Sequence, residues 1–182
     1  MKMFPNGISL NLCKEICEWA ETYIYGKPGH PLGFPNPVTT MTNLAWPDSI
    51  IKDSKPVIIY MLPNEFIEKI KKELAEIKLI NGLDGYLHPM VYVWTPGSYI
   101  PLHEDGFADN DRKVFTVYLN EQWSIENGGT FNYLDKNDEQ WKVLVPQQGL
   151  LVYNDNNELH YTTVSNEGRI RISIQMFAQS NK

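Results

Sequence analysis

The stretch Arg169-Ile-Arg-Ile-Ser-Ile-Gln-Met176, near the end of the chain, alternates polar and apolar side chains without interruption. Successive side chains of an extended strand point to opposite faces, so the arginines, the serine and the glutamine share one face and the isoleucines share the other. The apolar face is expected to pack on a core. The polar face either meets water or lines a polar cavity, and the alternation alone leaves both alternatives open.

The same alternation recurs upstream in short segments separated by turns. Residues 114–118, for example, place Phe115 and Val117 on one apolar face. Together with the final strand at 169–177, the pattern predicts strands at 90–95, 98–103, 113–120, 129–134, 140–145, 149–154 and 159–164. Eight short strands without intervening helices are typical of a sandwich or jelly roll.

The first half of the chain is predicted to be mainly helical. Ser9 is a helix cap before a run with apolar residues at helical spacing, and Pro63 opens a second such run. The sequence therefore predicts one domain over residues 1–182, mainly β with flanking helices (α+β). Its N-terminal region, 1–88, is expected to support one sheet of a double-stranded β-helix core, 89–178, of the jelly-roll or cupin-like type.

The 182-residue chain is acidic, with a formal net charge of -6 and a pI near 5.2. This charge does not favour binding to nucleic acid or to an anionic membrane surface. No apolar run approaches the ~18 residues of a membrane span, and the start lacks the apolar run of a signal peptide. Cys13 and Cys17, the only cysteines, lie four residues apart on a predicted helix, where disulfide geometry is unfavourable. We therefore expect a cytoplasmic protein that binds neither nucleic acid nor membrane.

The first candidate functional group is His103-Glu-Asp105 on a predicted strand. Because these residues are two apart on extended backbone, the imidazole and the carboxylate point the same way. His160 begins another predicted strand and supplies a second imidazole. Two histidines and one carboxylate form the facial ligand set that holds iron(II) and leaves coordination positions open. An isolated H-x-D pattern is a weak signal, and it gains weight only from the residues that accompany it.

A cation suited to an acidic co-substrate follows nine residues after His160. Past the turn at residues 165–168, the hairpin is expected to return the chain beside the strand it left and to bring Arg169 into the cavity of the metal. A guanidinium binds a carboxylate through two parallel hydrogen bonds and stays charged. Arg171 lies on the same face and is the competing candidate, although we favour Arg169.

Five motifs follow one another along the second half of the chain. They are Trp94-Thr-Pro-Gly leading into His103-x-Asp105, Val114-Phe-Thr-Val-Tyr118-Leu-Asn120, Gly128-Gly-Thr130, Pro146 with Gly149 and Leu150-Leu-Val-Tyr153, and His160 through Gly168-Arg-Ile-Arg-Ile-Ser173. In this order and spacing they resemble the catalytic core of the prolyl 4-hydroxylase-like family of iron(II)- and 2-oxoglutarate-dependent dioxygenases. The similarity covers about half of the chain.

The resemblance implies a role for each matching residue. His103, Asp105 and His160 would bind Fe(2+). Arg169 would bind the distal carboxylate of 2-oxoglutarate, and the Tyr118 hydroxyl would share that carboxylate.

The resemblance also implies a reaction, in which dioxygen and 2-oxoglutarate are consumed, succinate and carbon dioxide are released, and a C–H bond is hydroxylated. The expected substrate is a prolyl residue in a peptide or protein. Gln175 stands where the nucleic-acid repair branch places a second arginine, which disfavours base demethylation.

Trp94 stands where relatives often carry tyrosine, so a hydrogen bond from it to the co-substrate would come from the indole N–H. Ascorbate is a further candidate ligand, and the sequence indicates no oligomeric state.

Two other classes of function remain open at this point. A cupin-type metalloenzyme that needs no 2-oxoglutarate would share the jelly roll, although such sites usually gather more histidines than the four of this chain. A non-catalytic jelly-roll binding module would not need His103, Asp105 and His160 to converge.

Overall fold

The computed structural model describes residues 1–25, 39–40, 57–77, 88–105, 112–154, 158–166 and 168–179. The helices in these ranges are α1 (Leu10–Tyr25), α2 (Asn64–Leu74) and a 3-10 turn at Ile125–Asn127. The strands are β1 (Lys2–Phe4), β2 (Thr39–Thr40), β3 (Val57–Met61), β4 (His88–Trp94), β5 (Ile100–His103), β6 (Arg112–Tyr118), β7 (Phe131–Asp135), β8 (Gln140–Leu144), β9 (Leu151–Asn154), β10 (His160–Thr162) and β11 (Arg171–Gln179). Within the described residues, no helix is both long and apolar enough to cross a membrane.

The strands form two antiparallel sheets. The major sheet has seven strands in the order β1-β9-β6-β11-β4-β3-β2, and the minor sheet has four in the order β5-β10-β7-β8. From β4 onward the chain crosses repeatedly between them, because β4, β6, β9 and β11 belong to the major sheet and the other four to the minor sheet. This alternation is the predicted double-stranded β-helix, and the predicted fold class is confirmed.

All eight strands predicted for the second half of the chain are present, with ends shifted by at most two residues. The first half has one strand that its apolar run at Val57–Met61 predicts, which is β3, and two short strands, β1 and β2, that the sequence did not predict. β1 extends one edge of the major sheet, and β2 and β3 extend the other. The two regions therefore share one sheet across the boundary predicted near residue 88.

The helices cover the outer face of the major sheet. The hydroxyl of Ser9 accepts a hydrogen bond from the backbone N–H of Leu12 (3.3 Å) and so caps α1, as predicted. Glu73 of α2 in turn accepts hydrogen bonds from the Ser9 N–H and hydroxyl, at 2.6 and 2.7 Å, and ties the two helices together. The buried residues of this layer include Leu12, Cys13, Ile16, Ala20, Phe66, Ile70 and Leu74 from the helices and Val91, Val93, Phe115, Val117, Ile172, Ile174 and Met176 from the sheet.

The inner faces of the two sheets enclose the interior of the roll. Tyr118 and Val152 of the major sheet pack there with Phe131 and Tyr133 of the minor sheet. The polar face of β11 is turned into this interior, and Arg171 is only 1% exposed. The sequence left open whether the polar face of this strand meets water or lines a cavity. In β11 it lines the interior of the roll.

Candidate metal centre and co-substrate pocket

The two histidines of the predicted triad are direct neighbours across the minor sheet. His103, at the end of β5, pairs in register with His160, at the start of β10. Their ring centroids are 4.2 Å apart. Asp105 follows β5 by two residues and turns its carboxylate to the same side as His103. The short spacing within the H-x-D pattern and the antiparallel register together bring the three side chains to one point.

The distances between the candidate ligand atoms suit a single ion. The carboxylate of Asp105 bridges the two rings, with Oδ1 3.5 Å from Nε2 of His103 and Oδ2 3.5 Å from Nε2 of His160. All three ligand atoms lie within 4.8 Å of one another. Two imidazole nitrogens and one carboxylate oxygen are ligands that suit iron(II). The predicted convergence of these three residues is therefore observed.

Backbone carbonyl groups set the orientation of both imidazole rings. Nδ1 of His103 lies 2.8 Å from the carbonyl oxygen of Pro101, and Nδ1 of His160 lies 2.6 Å from that of Glu158. A carbonyl oxygen only accepts hydrogen bonds, so each Nδ1 carries the proton and each Nε2 keeps its lone pair for a metal. Burial lowers the pKa of His160, although Asp105 acts in the opposite direction. A neutral ring is the form that binds a metal ion.

Arg171 occupies the inner face of the major sheet. Its Nη1 donates a hydrogen bond to the carbonyl oxygen of Gly129 at 2.6 Å. Its guanidinium carbon lies 4.2 Å from the ring centroid of Trp94 and 5.2 Å from that of Tyr118. In the described part of the chain no carboxylate pairs with this cation, and its Nε has no hydrogen-bond partner. Burial lowers the pKa of Arg171 to about 10.

Arg169 does not enter the interior, so the predicted placement of this residue is wrong. Its side chain is exposed, and its two terminal nitrogens donate to the carbonyl oxygens of Gln122 and Glu121, both at 3.0 Å. The guanidinium carbon also lies 5.3 Å from the ring centroid of Trp123. The physical reason is that β11 begins at Arg171. Arg169 belongs to the loop that precedes the strand, where strand alternation does not apply.

Tyr118 links the two halves of the site. Its hydroxyl is buried and has no hydrogen-bond partner in the described residues. Burial raises the pKa of Tyr118 to about 12, with Arg171 acting in the opposite direction, so the phenol keeps its proton. Tyr118 packs in the same cluster as Phe131, whose ring centroid is 5.1 Å from that of His160.

Trp94 lies beside Arg171, because the two residues are paired in register on β4 and β11. The expected partner of its indole N–H was the co-substrate, but the structure shows a different one. Nε1 donates to the hydroxyl of Ser173 at 2.9 Å, and both side chains are buried. The expected hydrogen bond from this N–H to a co-substrate is therefore replaced by one within the protein.

Gly129 and Ser173 are site residues that the sequence reasoning missed. Gly129 has a φ of +60°, and a Cβ there would lie 3.2 Å from Cδ of Arg171 and 3.0 Å from Oγ of Ser165. The close approach of a glycine to a buried cation has no signature in the sequence beyond the Gly-Gly pair itself. Ser173 could have been found from the sequence, because it lies two residues after Arg171 and so shares the same face of the strand.

One buried and one half-buried imidazole with a carboxylate lie at the inner wall of a jelly roll, and a buried guanidinium lies on the facing sheet. This arrangement defines a non-haem metalloenzyme that uses an anionic co-substrate. The family model described as the 2OG-Fe(II) oxygenase superfamily matches residues 87–179. This match spans half of the chain, and the chain belongs to that family. The predicted cofactors, Fe(2+), 2-oxoglutarate and dioxygen, are those of the family.

Solved structures with the same fold extend over nearly the whole chain. A Pseudomonas putida prolyl-4-hydroxylase has a TM-score of 0.69 at 16% identity, covering 100% of this chain and 92% of the other. A viral collagen prolyl hydroxylase from Paramecium Bursaria Chlorella virus-1, in a 2OG complex, has a TM-score of 0.62 at 16% identity, covering 100% and 96%. A Trichoplax adhaerens prolyl hydroxylase, in complex with a hypoxia inducible factor peptide fragment, has a TM-score of 0.70 at 16% identity, covering 98% and 83%. A search of curated proteins found no match.

Proposed function

We propose that this protein is a dioxygenase that hydroxylates a prolyl residue of a peptide or protein, with iron(II) held by His103, Asp105 and His160 and 2-oxoglutarate held at its distal end by Arg171. The observation that carries the proposal is the pairing of this triad with a buried guanidinium on the opposite wall of the same interior. A cupin-type enzyme without 2-oxoglutarate has no use for such a cation. A binding module has no use for the triad.

His103, Asp105 and His160 fit iron(II), because two imidazole nitrogens and one carboxylate oxygen are ligands that suit this ion. Three ligand atoms within 4.8 Å of one another leave part of the coordination sphere of an octahedral ion to other ligands. Both imidazoles already present the correct nitrogen, because their other nitrogen donates to a backbone carbonyl. Little reorganisation is needed on binding.

The residues fit the co-substrate through hydrogen-bonding groups that the protein leaves unsatisfied. The hydroxyl of Tyr118 and Nε of Arg171 are buried and have no partner among the described residues. Buried polar groups almost always have partners, so such a pair indicates a ligand. A carboxylate supplies the acceptors that both donors lack and the negative charge that the guanidinium lacks.

When bound, iron(II), 2-oxoglutarate and dioxygen together supply the oxidising chemistry that converts a C–H bond of the substrate to C–OH, while the co-substrate becomes succinate and carbon dioxide. The chain contributes binding and orientation. Arg171 and Tyr118 would hold the distal carboxylate of 2-oxoglutarate, and His103, Asp105 and His160 would hold the iron on the facing sheet. Phe131 and Tyr133 pack between the two sheets and limit the access of water.

The prolyl substrate rests on the motifs of the second half of the chain and on the fold it shares with three prolyl hydroxylases. One of those structures contains a peptide fragment. A cytoplasmic location and the absence of a nucleic-acid partner remain predictions from the acidic sequence.

The test is turnover with proline-containing peptides in the presence of iron(II), 2-oxoglutarate and oxygen. Succinate is measured by chromatography and the peptide by tandem mass spectrometry. We expect succinate to require all three components and one prolyl residue to gain one oxygen atom. His160→Ala is the control and should lose both signals together with iron binding. Oxygen found on another residue would overturn the prolyl assignment alone, whereas a protein that binds neither iron nor 2-oxoglutarate would overturn the enzyme.

A further inference from the structure

The buried guanidinium of Arg171 is held by aromatic rings where a carboxylate would be the usual partner. Trp94 lies closest, with its ring centroid 4.2 Å from the guanidinium carbon. The two residues are opposite each other in register on β4 and β11. A guanidinium that lies over a ring uses its face for this contact, whereas its N–H donors point outward in its own plane. The ring therefore stabilises the charge without accepting a hydrogen bond. Nη1 donates to the carbonyl oxygen of Gly129, whereas Nε has no partner among the described residues.

The indole of Trp94 is fixed by a single hydrogen bond. Its Nε1 donates to Oγ of Ser173 at 2.9 Å. Ser173 is completely buried, and Trp94 is 1% exposed. Ser173 lies two residues after Arg171 on the same strand and the same inner face, so one short segment of β11 carries both the cation and the group that anchors its ring.

We propose that Trp94 and Ser173 are positioning residues for 2-oxoglutarate, which act through Arg171 without contacting the co-substrate through the indole N–H. The Ser173 hydroxyl holds the indole against the guanidinium, and the indole holds the guanidinium in the orientation that receives the distal carboxylate. This inference rests on the proposed function, because it assigns to Arg171 the role of co-substrate ligand.

The choice of a ring in place of an acid has a physical consequence for the site. A carboxylate beside Arg171 would neutralise it and would compete with the co-substrate for the same donors. An aromatic face stabilises the cation without competing, and tryptophan has the strongest such face among the aromatic side chains. Tryptophan also has the N–H that Ser173 requires, which phenylalanine lacks.

The experiment measures the dissociation constant of 2-oxoglutarate under anaerobic conditions with iron(II) bound, and KM and kcat in turnover. The variants are Ser173→Ala, Trp94→Phe and the double variant. Ser173→Thr retains a hydroxyl and is the conservative rescue. We expect Ser173→Ala to raise the dissociation constant and KM about fivefold, the effect of one hydrogen bond, with kcat and iron affinity unchanged. Ser173→Thr should restore most of the affinity.

The double variant separates positioning from independent packing effects. If Ser173 acts through Trp94, the two single changes are not additive, and the double variant binds 2-oxoglutarate about as weakly as Trp94→Phe. Cys13→Ala, a buried small residue on the helical side of the major sheet, controls for general loosening of the core. Should Ser173→Ala fail to fold, Trp94→Phe breaks the same hydrogen bond from the other side and takes its place.

Two outcomes would overturn the inference. One is a dissociation constant for 2-oxoglutarate that Ser173→Ala and Trp94→Phe leave unchanged. The other is full additivity of the two changes. Failure of the proposed function looks different, because the unchanged protein would then neither bind 2-oxoglutarate nor release succinate.

Discussion

Replacement of Arg171 by methionine should abolish tight binding of 2-oxoglutarate. Methionine keeps an unbranched apolar stem but removes the guanidinium with its charge and donors. Removing one partner of a buried, hydrogen-bonded charge pair costs about 2–5 kcal/mol. This loss corresponds to a rise in the dissociation constant of roughly 30-fold to several thousand-fold. The measurement is a titration with 2-oxoglutarate of the anaerobic, iron(II)-loaded protein, followed by its charge-transfer absorption.

The same substitution should stabilise the protein when no co-substrate is bound. Burial lowers the pKa of Arg171 to about 10, well below its ordinary value, and a lowering of this size corresponds to roughly 3 kcal/mol. The folded protein holds this proton less tightly than the unfolded chain. The cost to stability is therefore fully present below pH ~10 and shrinks as the pH rises above it. At neutral pH we expect Arg171→Met to raise the free energy of unfolding by about 1–4 kcal/mol in chemical denaturation.

Arg169→Met is the matched control, because it removes the same charge two residues away on an exposed side chain. It loses hydrogen bonds to two backbone carbonyls and the contact with Trp123, so we expect a destabilisation of about 1 kcal/mol. Its affinity for 2-oxoglutarate should stay within about twofold of the unchanged protein, since the lost contacts are outside the interior. The opposite result, in which Arg169→Met loses the co-substrate and Arg171→Met keeps it, would refute the assignment. A destabilised Arg171→Met protein would refute the argument about its charge.

Two further predictions concern residues near and far from the site. Gly129→Ala introduces a Cβ 3.2 Å from Cδ of Arg171 and 3.0 Å from Oγ of Ser165 at a φ of +60°. It should lower the free energy of unfolding by about 1–2 kcal/mol and weaken 2-oxoglutarate binding, whereas unchanged stability and affinity would contradict the close approach. Burial raises the pKa of the thiols of Cys13 and Cys17 to about 12. Cys13 is fully buried and Cys17 is half-buried, so both should react slowly with iodoacetamide at pH 8 until denaturant is added, as followed by mass spectrometry. Rapid labelling of Cys13 in the native protein would contradict its burial.

The strands of the second half were predictable because each has a strong local signal. Alternating side chains give period two, and glycine, proline and asparagine mark the turns between the strands. β1 and β2 were not predictable in this way. They have three and two residues, and each exists only as an edge partner, of β9 and β3 respectively. Their signal lies in a neighbour that is distant in sequence.

The metal triad could be predicted, whereas the choice between the two arginines could not. His103 and Asp105 are two residues apart, and extended backbone fixes their common direction. Arg169 and Arg171 share that same parity, so alternation treats them alike. What separates them is the residue at which β11 begins, Arg171. The side chain of Asn120 brackets this point, because it donates to the carbonyl of Ile170 and accepts from the N–H of Ile172.

The metal ligands and the proposed co-substrate cation lie on different sheets, so a ligand that binds to both must span the interior between them. His103 and His160 form a cross-strand pair in the four-stranded sheet. Arg171 is part of the central strand of the seven-stranded sheet, whose outer face is packed under both helices. Under the proposed function, a dianion with a carboxylate at each end would connect the two sheets and would neutralise a cation with which no carboxylate of the described residues pairs. The charge that reduces the stability of the empty protein is therefore the charge that selects the ligand.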